Sequence, residues 1–217
     1  TTRANESAMA LILPHSVFFH FPKTGGYFVR EIIRRSGIPY REDNPADHSF
    51  HMIDPDKVDG SAESSKFYFI FMRHPMDWYA SYWNHRTHVG WTGELHPGWN
   101  AVSIYQAQGA DTFVGFLEQV VAEGVPFISQ HADLFKKMDR VGRFEDLRNE
   151  LCAILTAAGE DVDCALVQTV PPQNVIPYPG KGWIDVPRSL YSAMVNLEAW
   201  SFEFFGYAEE SRRFNLI

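Results

Sequence analysis

The chain has 217 residues, enough for one α/β domain with a full core and short for two. Its formal charge of −8 argues against bulk binding to nucleic acid or to an anionic membrane, so an anionic ligand has to be met by a local cluster of cations. Aromatic residues make up 15% of the chain, with 17 Phe and 6 Trp, a composition suited to buried strands and a flat-walled cleft.

Residues 1–14 carry little pattern and read as an N-terminal arm. Val17 to Phe21 is a continuous apolar run, expected as a buried strand over about 16–21. Lys23-Thr24-Gly25-Gly26 then turns into a helix over about 26–36. Phe28, Ile32 and Ile33 lie on one side of it, Arg30, Arg34 and Arg35 largely on another, and Gly37 ends it. Strand, glycine turn and helix together make a phosphate grip. Glycines let backbone N–H groups approach an anion, and the helix start adds a favourable dipole. The turn is not a Walker loop, because Lys23 precedes the glycines, and the GxGxxG fingerprint is absent. A plain strand-to-helix turn uses the same residues, so the loop by itself leaves both readings open.

Residues 38–65 hold only a short strand candidate near 48–53. Lys66 to Met72 is a second apolar strand, fit for the middle of a parallel sheet. Pro75 suits the first turn of the next helix, about 76–88, which puts Arg73 at a strand's carboxyl end, the edge where open α/β sheets bind ligands. Ser81 lies roughly two turns into that helix, and an arginine with a serine makes a charge-assisted phosphate site. The stretch 89–110 is long and loop-like, a candidate substrate element. Helices near 111–123 and 129–138 precede a strand at 139–144 and a helix at 146–158. A Pro-rich irregular region spans 159–187, and a final helix 188–205. Strands alternating with helices imply a three-layer α/β/α domain with a central parallel sheet. Cys152 and Cys164 fit no zinc or Cys-x-x-Cys spacing and are expected as reduced thiols on or beside a helix. No stretch approaches the roughly 18 apolar residues of a membrane span.

With these segments laid out, the chain resembles the PAPS-dependent sulfotransferases. Pro22-Lys23-Thr24-Gly25-Gly26 is similar to the loop that binds the donor's 5′-phosphosulfate. Phe71-Met72-Arg73-His74-Pro75 through Ser81 and Trp83 is similar to the 3′-phosphate motif. Val141 to Leu147 resembles a late "GRFEDL" strand, and Trp200 to Tyr207 a closing "DFxLFGY" segment. The four matches run in family order from residue 17 to 207. Gly26 and Tyr27 stand where the family often has Thr or Ser, and the adenosine-side RKGxxG motif has no clear counterpart.

The resemblance implies a P-loop-NTPase-like sulfotransferase fold over a single domain, 1–217. The donor is PAPS, with PAP as product and no metal, and the acceptor is the hydroxyl of a carbohydrate or other small molecule. Lys23, Thr24, Gly25, Gly26 and Tyr27 would hold the 5′-phosphosulfate, and Arg73 and Ser81 the 3′-phosphate. Arg30 and Lys181 are further candidate cations. Lys23 would also neutralise the departing oxygen. The family's histidine base points to His48, with His51 second. A strand would turn the two to opposite faces, and a surface histidine with no role is the plain alternative. Trp83, His85 and Trp91 are candidates for an acceptor wall, with aromatic packing as the other reading. His20 is expected as a hydrogen-bonded core residue within the strand, His74 as support for Arg73, and Asp77 as a helix cap. Golgi relatives carry a membrane anchor, so a soluble, bacterial, cytoplasmic enzyme is expected here, without nucleic-acid or membrane partners. The rival activities are a kinase with a variant phosphate loop and a PAP-binding protein that has lost catalysis.

Overall fold

The computed structural model describes residues 10–43, 65–89, 110–172 and 185–208. Among these, β1 (Ala10–Ile12), β2 (Ser16–Phe19), β3 (Arg41–Asp43), β4 (Phe67–Met72) and β5 (Arg140–Arg143) form one open sheet in the order β3-β1-β2-β4-β5. β2, β4 and β5 run parallel, with Phe18 beside Phe69 and Met72 beside Arg143. β1 is antiparallel to both β2 and β3. The sheet is therefore mixed, and its parallel part consists of the three strands legible in the sequence. β1 falls inside the expected arm, because three residues are too few to show alternation. β3 is a charged edge strand, a composition that blunts edge-to-edge pairing.

The described residues group into two compact units. The first comprises 10–43, 65–72 and 134–172, the second 73–89, 110–133 and 185–208.

In the first unit α1 (Gly26–Arg35), α5 (Leu147–Ala158) and α6 (Cys164–Thr169) share one apolar cluster with the sheet. Phe18, Phe69 and Phe71 meet Phe28, Val29, Ile32 and Ile33 of α1, Leu151, Ile154 and Leu155 of α5, and Val167 of α6. A methyl group on Gly142 would lie 2.4 Å from the Phe71 ring and 3.0 Å from Ile154, so this glycine lets strand and helix close on each other. Glu160, almost fully buried, accepts from the His15 N–H at 2.8 Å and the Ser16 hydroxyl at 2.7 Å, which ties the end of α5 to the β1–β2 turn. α6 lies in the region expected to be irregular. Asp163 caps it, accepting from the Ala165 and Leu166 N–H groups at 3.0 Å. The expected reduced thiols are instead a Cys152–Cys164 disulfide joining α5 to α6, with Cα atoms 5.5 Å apart. Spacing alone could not show this pairing, because it depends on the chain turning back after Gly159.

The second unit is helical: α2 (Pro75–Val89), α3 (Phe113–Glu123), a 3-10 turn at Ser129–His131, α7 (Arg188–Leu197) and α8 (Ala199–Phe204). α4 (Ala132–Lys136) follows the 3-10 turn. The core is aromatic. Trp78 stacks on Phe127 at 4.6 Å and on Tyr82 at 5.4 Å, and Tyr79 and Tyr82 approach Phe116. The single helix expected over 188–205 is broken at Glu198, a fully buried residue. Its carboxylate accepts from the Tyr79 hydroxyl at 2.6 Å, the Ser129 hydroxyl at 2.6 Å, the N–H groups of Ile128 and Ser129 at 2.9 Å, and the Ser201 hydroxyl at 3.2 Å. Burial, reinforced by this carboxylate, holds the Tyr79 phenol well above its ordinary pKa, so it remains a donor.

Candidate functional site

The loop between β2 and α1 is shaped by backbone conformation. Lys23 has φ 66°, the only positive φ outside glycine among the described residues, and Gly25 follows at φ 85°. A left-handed lysine costs about 1–2 kcal/mol, and such outliers persist only where the surroundings hold them. Here Phe21 is fully buried against Phe135 at 5.1 Å, and the buried Thr24 hydroxyl donates to the Phe21 carbonyl at 2.6 Å. Gly25 then caps α1, its carbonyl accepting from the N–H groups of Phe28 and Val29 at 2.9 and 3.1 Å. The first N–H groups of a helix have no intrahelical acceptor, and the helix dipole makes that end attractive to anions.

Both glycines are required by close approach. A methyl group on Gly25 would lie 2.7 Å from Leu147 Cδ2 and 3.1 Å from the Phe144 ring. One on Gly26 would lie 2.2 Å from Cδ2 and Nε2 of His20. The Lys-Thr-Gly-Gly loop and the Arg-Phe-Glu-Asp-Leu segment, far apart in sequence, thus meet at Gly25. The latter segment is the end of β5, a 3-10 turn at Phe144–Asp146 and the start of α5. The carboxyl ends of β2, β4 and β5 lie along one edge of the sheet, since the three strands are parallel neighbours. Tyr27 is exposed, while Lys23 is half-buried. Arg30 lies 3.4 Å from Glu42 of β3, so its charge is shared with the sheet edge.

By sequence His20 reads as a core residue of the strand. β2 ends at Phe19, and His20 is a half-buried residue of the loop, with its ring on the first residue of α1. Its position next to the loop is the one sequence signal that marks it.

In the second unit Arg73 is half-buried and directly follows the last residue of β4. His74 is buried, its ring edge-on to Phe202 at 5.4 Å and Tyr207 at 5.0 Å. The arginine motif and the C-terminal aromatic motif are thereby packed together. The His74 carbonyl accepts the first bond of α2 from the Trp78 N–H at 2.9 Å, and Asp77 lies in the first turn, where a negative charge suits the dipole. Ser81 and His85 are half-buried on α2. Trp83 is buried, with its indole N–H donating to the Ala110 carbonyl at 3.2 Å and its ring 5.9 Å from that of Phe113, the placement of a packing residue.

His48, His51, Trp91 and Lys181 lie outside the described residues, as does most of the 89–110 segment. Among the described residues no three of His, Cys, Asp or Glu gather to hold a metal ion, and no helix is long and apolar enough to cross a membrane. Compared with protein-family models, with curated proteins and with solved structures, the chain matches none.

Proposed function

We propose that this chain is a PAPS-dependent sulfotransferase, moving a sulfuryl group from PAPS to a hydroxyl of a carbohydrate or other small molecule and releasing PAP. One observation carries the reading: the left-handed Lys23 and Gly25, joined to a helix start at the carboxyl end of a parallel strand. Strain of this kind on a lysine, rather than on a glycine, is expected where the charge must point to a fixed place. The resemblance of four segments in family order adds to it.

The loop suits a phosphosulfate by charge and by backbone. Lys23 is the cation, α1 contributes N–H groups from its first turn, and the two glycines keep the loop drawn against its neighbours. Thr24, with its hydroxyl donated to Phe21, serves by bracing the loop. Arg73 and Ser81 are assigned to the 3′-phosphate, and Lys181 is a further candidate cation for it. PAPS brings an already activated sulfuryl group, so the protein's part is positioning and charge stabilisation, as in phosphoryl transfer. Lys23 would offset the charge that grows on the departing oxygen. His48, or His51 in second place, would take the acceptor's proton, and His85 and Trp91 would flank the acceptor. A three-layer, P-loop-like architecture and a cytoplasmic, bacterial setting belong to the same proposal.

The test is calorimetric titration of PAP and of ATP, without magnesium, on the wild type and on Arg73→Ala. The proposal expects PAP to bind, ATP to bind weakly, and PAP binding to collapse in the variant. Absence of PAP binding, or magnesium-dependent preference for ATP, would overturn it in favour of a kinase. PAP binding without turnover on any hydroxyl acceptor would leave a binding protein.

A further inference from the structure

We propose that His20 is a positioning residue of the phosphosulfate loop, acting through the nitrogen edge of its imidazole on the first turn of α1; this rests on the sulfotransferase reading of that loop. Residues two apart near a strand end share a face, and the His20 ring accordingly lies near-parallel to Phe18, 6.1 Å away at 28°. The ring then reaches the helix start. A methyl group on Gly26 would sit 2.2 Å from Nε2 and from Cδ2, and 2.7 Å from Cε1. The edge carrying Nε2 is therefore what meets the first residue of α1.

Three successive loop residues are pinned in this way. Thr24 is held by the Phe21 carbonyl, Gly25 lies on Phe144 and Leu147, and Gly26 lies on His20. The contacts on Gly25 are wholly hydrocarbon, whereas His20 brings a nitrogen. It is half-buried, at the helix end where negative charge is favoured. The ring thus sits against the residue that opens α1, next to the N–H groups that an anion would meet. A role in packing asks only for a flat ring in this place. A role in holding the anion site asks for a nitrogen near the position of Nε2.

Three variants separate these roles: His20→Ala, His20→Phe and His20→Gln, each titrated with PAP and with inorganic pyrophosphate after its thermal midpoint is recorded. Phe keeps the ring without nitrogen, and Gln can place an amide nitrogen close to that of Nε2. The expected result is a loss of about tenfold or more in affinity for Ala and Phe, and a Gln variant within about threefold of wild type. Equal binding by all three variants, or rescue by Phe as complete as by Gln, overturns the role of His20 while leaving the loop's function standing. A wild type that binds neither PAP nor pyrophosphate overturns the sulfotransferase reading itself. A folding defect in the Ala variant does not blunt the test, because the decisive comparison is Phe against Gln.

Discussion

In the first unit the motif residues are held by backbone. Lys23 and Gly25 stand at positive φ, and a side chain on Gly25 or Gly26 would force Leu147 or His20 to shift. In the second unit the motif residues are held by side chains. His74 is packed between Phe202 and Tyr207, and Tyr79, Ser129 and Ser201 converge on the Glu198 carboxylate. The contrast separates two kinds of sensitivity. Changes in the helical unit should act on stability, because they open an interior or strand a buried polar group. Replacing Lys23 should act on anion binding with little effect on stability, because relief of its left-handed backbone offsets what is lost.

The largest effect is expected at Glu198. In Glu198→Ala the hydroxyls of Tyr79 and Ser129 and the N–H groups of Ile128 and Ser129 lose their acceptor. At about 1–3 kcal/mol for each buried donor left unsatisfied, the four together predict a loss of at least about 4 kcal/mol in urea unfolding. A loss below about 1 kcal/mol would show that side-chain packing does not dominate this unit. Next comes the disulfide, which belongs to the first unit and sharpens the contrast. It closes a loop of 12 residues, so Cys152→Ser or a dithiol reductant should lower stability by about 3 kcal/mol. Guanidinium unfolding with and without reductant measures it, and identical curves would mean that the thiols are not bridged.

His131 gives a smaller, pH-dependent effect. Burial lowers its pKa from 6.5 to about 4, so between those values the folded chain binds fewer protons than the unfolded one. The resulting stability is complete above about 6.5 and is lost as pH falls towards about 4. Compared with wild type, His131→Phe should lose less stability over this window, by about 1–3 kcal/mol, in unfolding curves recorded at each pH. Parallel pH profiles would show that the ring protonates without opening the core. The smallest stability change, and the clearest contrast with Glu198, is expected for Lys23→Gly. Glycine removes the left-handed strain but adds backbone freedom, so stability should stay within about 1 kcal/mol. PAP affinity, by contrast, should fall at least about tenfold with the loss of a charge-assisted bond. A variant as destabilised as Glu198→Ala would break the contrast between the two units.

How far each part could be read follows from the same physics. The strands β2 and β4 were legible because each carries an apolar run, and β5 through the resemblance of Val141 to Leu147 to a known motif. The start of α2 was legible at Pro75, and the end of α1 at the left-handed Gly37. β1 and β3 were not, being three residues each and paired only through distant backbone. The break between α7 and α8 was hidden for another reason: neither proline nor glycine marks it, and its cause is a carboxylate whose partners lie 69 and 119 residues away. At the site, Lys23, Gly25 and Gly26 could be named from their order alone. His20 could not, since its importance lies in what its ring touches.

The amino-acid sequence by itself determined the α/β character, the strand–glycine–helix order around Lys23, and the segment types on which a sulfotransferase reading rests. Those properties come from local patterns of apolarity and from residues with special backbone freedom. Tertiary structure alone decided the mixed strand directions, the Cys152–Cys164 bridge, the convergence of Phe144 and Leu147 on Gly25, and the seat of His20 on Gly26. Each of these is a contact between segments whose individual sequences are compatible with many pairings. Only the shared core, closed around Phe18, Phe69 and Phe71, selects one of them.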